Sequence, residues 1–520
     1  MSTSPTRLGL LAHAFGIAAL GMAQVPSIQW QRCLGGTLAD EGAWVQEMPD
    51  GTFLLTGTTN SPTGDFPATH GNKDIWVAGL SSNGEVLWQH VLGGSGDDEA
   101  HSVLKAADGT IVVAGSSTSS DGDVSGAHGD RDAWIAKLNT AGQLLWQRAL
   151  GGSGRDQANA LVETAEGDLV ICGMTTISDG DVSGSHGLWD AWVVKVSGAG
   201  QLLWQRALGG TENDWAHSLV IGTEGKVHVS GTTSSADGDA SGTQGGSDAW
   251  VLTLSDAGTL LWQLPIGTSY NQEGGGICLA DGGDIFLSGN TNSDFEEPSN
   301  FIGNARYMAA RITPEGDLVW KRWLPGYHYD RATSIVPVQD DLLLFGTGYS
   351  YLGTFDFEHL GYDPMAYRLS TDGDSLWSNI WGGTSAYDYG QRMIPTVDGG
   401  YLFIGSVWSN NGDVQGWLGG GDAWVVKLGD PDAGLHGTVD TPARIAPNPN
   451  NGSFVLDLPN GADGSVADLI DAQGRSVRTI PRLRSGSNSI QFAHLADGQY
   501  TLRIIRNGRS NVVPISINNR

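Results

Sequence analysis

The chain has 520 residues, with 28 Lys and Arg against 57 Asp and Glu, and a formal charge of −29. Glycine contributes 77 residues and tryptophan 19, while charged residues make up only 16%. That balance excludes an acidic disordered tail, and the negative field disfavours nucleic acid and anionic membranes as partners. It suits an extracellular chain of short strands and tight turns.

The first 23 residues read as a signal peptide. Arg7 supplies the positive start, Leu8 to Leu20 form an apolar run, and Gly21-Met22-Ala23 puts small residues before a cut at Gln24. The run is shorter than the roughly 20 residues a membrane helix needs. No later stretch reads as a membrane span.

From there the chain repeats itself, which fixes the fold class. One tryptophan recurs at Trp30, Trp88, Trp146, Trp204, Trp262, Trp320 and Trp377, in steps of 58 and finally 57. A second column runs Trp76, Trp134, Trp192, Trp250, Met308, Met365 and Trp424, and a glycine column runs from Gly57 through Gly115 to Gly405. Within one unit the sequence predicts four strands. A stretch from Ala100 to Lys105 turns at Asp108-Gly109 into Thr110–Ala114. A long loop over 116–131 then leads to Trp134–Leu138 and Leu144–Leu150. Four strands repeated seven times predict an all-β, seven-bladed β-propeller over 24–430. The phase of the repeat is informative. The first strand matches a fourth strand and the last matches a third, so the N-terminal strand is expected to close the ring and hide both edges. The tryptophans are then core. Cys33, Cys172 and Cys278 replace small or apolar core positions in different repeats and read as buried free thiols.

Three features could carry chemistry. An Asp column (Asp40, Asp98, Asp156, Asp214, Asp330, Asp388, with Gln272 in the fifth copy) precedes each first strand. It reads as loop capping, with a ring-bound cation as the alternative. The long loops carry Asp-Gly-Asp-x-Ser-Gly: Asp121, Asp123 and Ser125; Asp179, Asp181 and Ser183; Asp237, Asp239 and Ser241. Oxygen ligands at alternate positions before a glycine resemble the first half of a Ca²⁺ loop, yet no bidentate Glu follows, and Asx-turns account for the same pattern. The fifth and sixth copies lose both motifs and gain aromatics: Tyr327, His328 and Tyr329 in one loop, and Tyr351, Phe357 and His359 in another. Trp408 and Trp417 stand in the seventh. These eight are the candidate ligand-binding residues. No nucleophile elbow, zinc-protease or phosphate-loop motif occurs, so no residue is assigned as catalytic.

Residues 431–446 read as a linker, after which composition changes. From 441 to 520 there are nine Arg and five Asp, with neither Lys nor Glu. Alternating strands separated by Gly, Asn and Asp turns predict a small Ig-like β-sandwich over 447–520. Three motifs there, Ala-Pro-Asn-Pro-Asn-Asn-Gly-Ser-Phe (446–454), Asp-Ala-Gln-Gly-Arg (471–475) and Leu-Ala-Asp-Gly-Gln-Tyr (495–500), resemble the type A C-terminal sorting domain of type IX secretion substrates of Bacteroidota. The resemblance rests on Pro447, Asn448, Pro449, Gly452, Gly474, Gly498 and Tyr500. It implies type IX secretion machinery as a partner, passage through the periplasm, removal of the domain, and release or anchoring at the outer cell surface. The units themselves resemble propeller repeats of secreted proteins in those bacteria, with Gly-Gly-x-x-x-Asp and Asp-Ala-Trp-Val-Val-Lys-Leu. The reading is therefore a monomeric, secreted or surface-anchored propeller that binds or adheres to an extracellular ligand. A carbohydrate-active hydrolase or lyase working through loop carboxylates, and a structural surface-layer component, are the alternatives. Raised carboxylates in a deep pocket would favour the enzyme; an aromatic patch on copies five to seven would favour binding.

Overall fold

The computed structural model describes residues 26–280, 282–291, 306–324, 330–350, 361–384, 387–430, 444–446, 453–458, 465–470, 476–484, 486–492, 495, 498–506 and 509–517. The leader, the linker 431–443 and much of two loops fall outside that set.

Seven four-stranded antiparallel sheets follow one another in chain order. Blade two shows the plan: Asp98–Lys105, Ile111–Ser117, Asp132–Leu138 and Leu144–Leu150, from axis to rim. The second and third strands are buried along their full length, whereas the fourth is only partly buried until its last two residues. The middle of each sheet is thus covered on both faces by its neighbours, and solvent reaches the rim strand and parts of the axial strand. Each first strand carries a bulge, at Ala100/Ser102 in blade two and at the matching place in the others. The bulge adds twist, which lets seven sheets fan around an axis. Among the described residues of the propeller the single helical turn is Thr223–Gly225.

Closure is as the repeat phase requires. The seventh sheet is completed at its rim by Ile28–Leu34, which pairs antiparallel with Asp422–Leu428, Cys33 opposite Trp424. Gln31 locks this seam. Its Nε2 donates to the Asp413 carbonyl at 2.7 Å, and its Oε1 accepts from Gln415 N at 2.9 Å and Trp424 Nε1 at 3.0 Å. Blades are also joined near the axis by backbone bonds that repeat around the wheel: Asp98 N to Lys73 O, Asp156 N to Arg131 O and Asp214 N to Trp189 O, all 2.7–2.8 Å.

The tryptophan columns pack between blades. Trp76, Trp134, Trp192, Trp250 and Trp424 are fully buried. Trp192 of blade three, for example, shares one cluster with Val112, Ala114 and Ile135 of blade two. The glycine column exists because of what lies above it: a Cβ on Gly115 would stand 1.9 Å from the Glu99 carbonyl oxygen. The three cysteines are buried and unpaired.

In the C-terminal region, Arg444–Ala446, Ser453–Leu458 and Gly486–Gln491 form one sheet, and Ser476–Leu483, Ser465–Ile470, Gly498–Arg506 and Arg509–Ile517 form another. Phe454, Leu456, Leu469, Ile490, Leu502 and Ile515 share one apolar cluster. The strand Arg444–Ala446 lies inside the stretch read from sequence as linker.

Candidate functional site: the long-loop face and the central channel

The Asp column before each first strand points into the protein rather than into the channel. Asp98 Oδ2 accepts from Gly94 N at 2.7 Å and Ser119 Oγ at 2.9 Å, and Oδ1 accepts from Ser117 Oγ. Asp40, Asp214 and Asp388 hold the equivalent glycines and serines, and Gln272 takes Thr268 N with its Oε1 at 2.7 Å. These bonds are loop capping.

A second Asp column, not singled out by motif, stands beside the first. Asp74, Asp132, Asp190, Asp248 and Asp422 open the third strands and are buried. Each accepts from the backbone N–H four residues back, at 2.5–2.9 Å. The two columns meet across a glycine at Gly35, Gly93, Gly151 and Gly209. A Cβ on Gly35 would lie 2.5 Å from both Asp40 Oδ2 and Asp422 Oδ1. Burial raises the carboxyls of Asp40, Asp74, Asp98, Asp190 and Asp248 above their ordinary range. Asp156 is pushed up to about 6 by burial and by Asp132, and Asp422 to about 6 by burial and by Asp40. Asp363, in the sixth blade, rises to about 9 through burial and the charges of Asp388 and Asp413.

The Asp-Gly-Asp-x-Ser-Gly loops fold down on these junctions. Asp121 Oδ1 accepts from Ser95 N at 2.7 Å, Asp123 Oδ2 from Gly93 N at 3.3 Å, and Ser125 Oγ from Gln147 Nε2 at 2.5 Å. In the next copy Asp179 takes Ser153 N, Asp181 meets Arg148 and Ser183 takes Gln205. In the third, Asp237 takes Thr211 N, Asp239 takes Gly209 N and Ser241 takes Gln263. The three oxygens of each loop go to three different donors. Gln147, Gln205 and Gln263 also accept from Trp134, Trp192 and Trp250 Nε1 at 2.7–2.9 Å, so the loop serine, the rim strand and the buried tryptophan form one relay. Among the described residues no group of three or more His, Cys, Asp or Glu is placed to hold a metal ion.

Of the aromatic candidates, Tyr327, His328, Tyr329, Tyr351, Phe357 and His359 lie outside the described residues. Trp417 is partly buried against the core of blade seven, and a Cβ on Gly421 would touch the Trp408 ring. Trp408 belongs to a cluster that the motif search reached only in part. In blade six the middle hairpin, Asp341–Ser350 with Gly361–Ser370, runs on through the pairs Tyr349↔Tyr362 and Ser350↔Gly361. Blade two stops two pairs earlier, at Ser117↔Asp132. The Tyr362 ring lies 5.0 Å from Tyr349, 5.5 Å from Tyr387 and 6.1 Å from Tyr389, and Tyr389 meets Trp408 edge-on at 5.6 Å. Tyr387 is 59% exposed. Five aromatic rings thus share the long-loop face of blades six and seven.

The axis holds a cavity of about 540 Å³, within the range of small-molecule sites. All seven first strands line it. Their residues at the second and fourth positions vary from blade to blade: Glu41 and Ala43, Glu99 and His101, Gln157 and Asn159, Trp215 and His217, Glu273 and Gly275, Arg331 and Thr333, Tyr389 and Gln391; all but Glu99 and Tyr389 line the cavity. Burial opposes the ionisation of Glu99, but Lys73 at 2.8 Å and Arg131 at 2.6 Å hold it down at about 2. Burial also holds His101 neutral; its Nδ1 donates to the Ala158 carbonyl at 2.8 Å. His217 is held down at about 4 by burial and by the Arg331 charge, with Nε2 3.1 Å from Thr232 Oγ1. Gln157 Nε2 donates to Asn159 Oδ1 at 2.6 Å, and Asn159 Nδ2 donates to the Ala216 carbonyl at 2.7 Å.

Fold and site together define a seven-bladed propeller with a channel-mouth face, carrying a C-terminal appendage. Residues 444–518 match the family model described as the secretion system C-terminal sorting domain, so the chain carries a type IX sorting tail that directs it to the cell surface or extracellular space. Over 516 residues the chain is 24% identical to the regulatory protein FlaEY of Caulobacter vibrioides, covering 91% of this chain and 52% of that one; it spans about half the length of this relative. Among solved structures it is similar to the extracellular domain of a one-component system of B. thetaiotaomicron (10% identity, TM-score 0.39, covering 92% of this chain and 57% of that one). It is similar also to the plexin A4 extracellular region (9% identity, TM-score 0.45, covering 93% and 53%). Neither likeness bears on what this chain binds. Among the described residues no helix is long and apolar enough to cross a membrane.

Proposed function

We propose that the propeller is an extracellular binding module that holds a glycan chain against the aromatic face of blades six and seven. The observation that carries this reading is the contiguous set Tyr349, Tyr362, Tyr387, Tyr389 and Trp408, with Tyr387 largely in solvent. Phenol and indole rings that are half wet and rigidly packed offer flat apolar area at little entropic cost, with a hydroxyl at the tip. Such a surface suits the C–H faces of sugar rings in an extended polymer. The sorting tail supports the same reading, since delivery outside the cell puts the face where polysaccharide is met.

The carboxylates with raised proton affinity do not favour a hydrolase. Asp156, Asp363 and Asp422 are buried, and their like recur at blade junctions beneath glycine loops. They bear on stability rather than on a reacting bond. The test is retention on insoluble polysaccharides and a glycan array. The wild type is expected to bind at least one polymer, and Tyr387→Ala to reduce that binding severalfold with an unchanged unfolding midpoint. Binding that is indifferent to Tyr387→Ala, or absent from every glycan, would sink the proposal.

A further inference from the structure

The structure assigns a second site, distinct from the aromatic face: the central channel is a pocket for a single neutral sugar unit entering along the propeller axis.

Within this one chain some columns of the repeat are constant and others vary. The rim strands keep one Trp in every copy, and Leu-Leu-Trp-Gln recurs at 144–147, 202–205 and 260–263. On the first strands, the third position is always Gly or Ala, from Gly42 to Gly390, and the sixth is always an aliphatic or Met, from Val45 to Met393. Packing dictates both. The second and fourth positions, most of which line the cavity, vary: Glu stands at the second in three blades and His at the fourth in two, and no two blades share the same pair. The columns that packing or capping dictates repeat around the wheel, and these two do not. An asymmetric lining in a symmetric frame fits an asymmetric ligand.

The chemistry of that lining narrows the class. Glu41 and Arg331 are exposed in the cavity, and among the described residues neither makes an ion pair. Trp215 is half-buried there and presents the indole of the second-position ring. His101 spends Nδ1 as a donor to a carbonyl, which leaves its Nε2 an acceptor, and His217 likewise keeps one ring nitrogen for a ligand. Carboxylate, guanidinium, imidazole and amide groups are planar two-point partners, matched to vicinal hydroxyls that each donate and accept. An indole suits the apolar face of a pyranose ring. Acid and base stand in the same cavity, so a ligand with a single net charge would leave one of them opposed; a neutral polyol satisfies both. Ala43, Gly275 and Thr333 lie at the fourth positions of the blades that bear Glu41, Glu273 and Arg331, which leaves room beside those charges for a ring.

The two sites separate by experiment. Isothermal titration of the full chain with neutral mono- and disaccharides, and with the matching uronic acids and amino sugars, is expected to show a neutral sugar bound in preference to its charged forms. Trp215→Ala should weaken that binding roughly tenfold or more. Arg331→Ala, at an exposed position that should not disturb folding, should do the same, while Tyr387→Ala should leave it unchanged. Several results would overturn the assignment: no neutral sugar bound, a charged analogue preferred, or binding that survives both channel substitutions. Retention on polymer with no uptake of small sugars would leave the aromatic face standing and remove the channel site.

Discussion

The paired carboxylates at the blade junctions make a quantitative prediction about Asp156→Asn. Asp156 is 1% exposed, and its proton affinity is raised from 3.8 to about 6. Burial is the first cause, and the hydrogen bond from Gly152 N offsets it only in part. A native pKa above the unfolded one means that the native state binds the extra proton between those values. Stability from this group is therefore full below about 3.8 and is lost as pH rises through 6. A rise of about two units corresponds to roughly 3 kcal/mol between the two limits, at 1.36 kcal/mol per unit. Asn keeps an oxygen for the Gly152 N–H and carries no charge, so it should be the more stable form at pH 7.5. Its lead should shrink by about 1.4 kcal/mol when the pH falls to 5, one unit below the native value. The difference between variant and wild type is the quantity to measure, because His217 and His228, both held down at about 4 by burial, work the other way in the parent protein. Urea unfolding of both proteins at pH 7.5, 6 and 5 gives the comparison. Parallel stability profiles would refute the argument, and so would a variant whose lead grows on acidification.

Other outcomes follow from single contacts. Gln31→Ala at the seam should cost about 2–3 kcal/mol, since it strands the buried Trp424 Nε1 and loosens the closing strand; an unchanged urea midpoint would show that the seam is held elsewhere. Gly115→Ala sets a methyl 1.9 Å from a carbonyl oxygen, and it should leave little soluble folded protein, by yield and circular dichroism. Cys33 and Cys278 are pushed up to about 12 by burial, so neither thiol should react with a disulfide reagent until the protein is unfolded. Because the oxygens of the Asp-Gly-Asp loops already have protein donors, a calcium chelator should leave the urea midpoint where it was; a clear fall would restore the ion to those loops.

Much of the architecture was legible because it rests on invariance. Trp76 and its column, Gly115 and its column, and the out-of-phase first strand each state a packing requirement seven times, or once at the seam, and the wheel follows from them. The first Asp column was read correctly as capping, since a residue that must hold a nearby glycine N–H recurs wherever that turn recurs. The second column, Asp74 to Asp422, stands in a repeated Asp-x-Trp triplet, but its partner across the junction is not legible there. Nothing in one unit says that its Asp will meet the Asp of the next unit across a glycine.

The channel lining was illegible for the converse reason. A periodic reading looks for columns that agree, and the second and fourth positions of the first strands vary, with Glu at the second in only three copies and His at the fourth in two. In a single-copy fold such variation carries no information, because each position has its own surroundings. In a propeller the surroundings are repeated by the geometry, so a position that varies is one on which packing makes no demand. Trp215 beside His217, in a frame where the same sites elsewhere hold Glu41 and Ala43, cannot be ascribed to the local fold, which is common to both. Under the proposed channel site, the demand on those side chains comes from a ligand at the axis, which all seven first strands line.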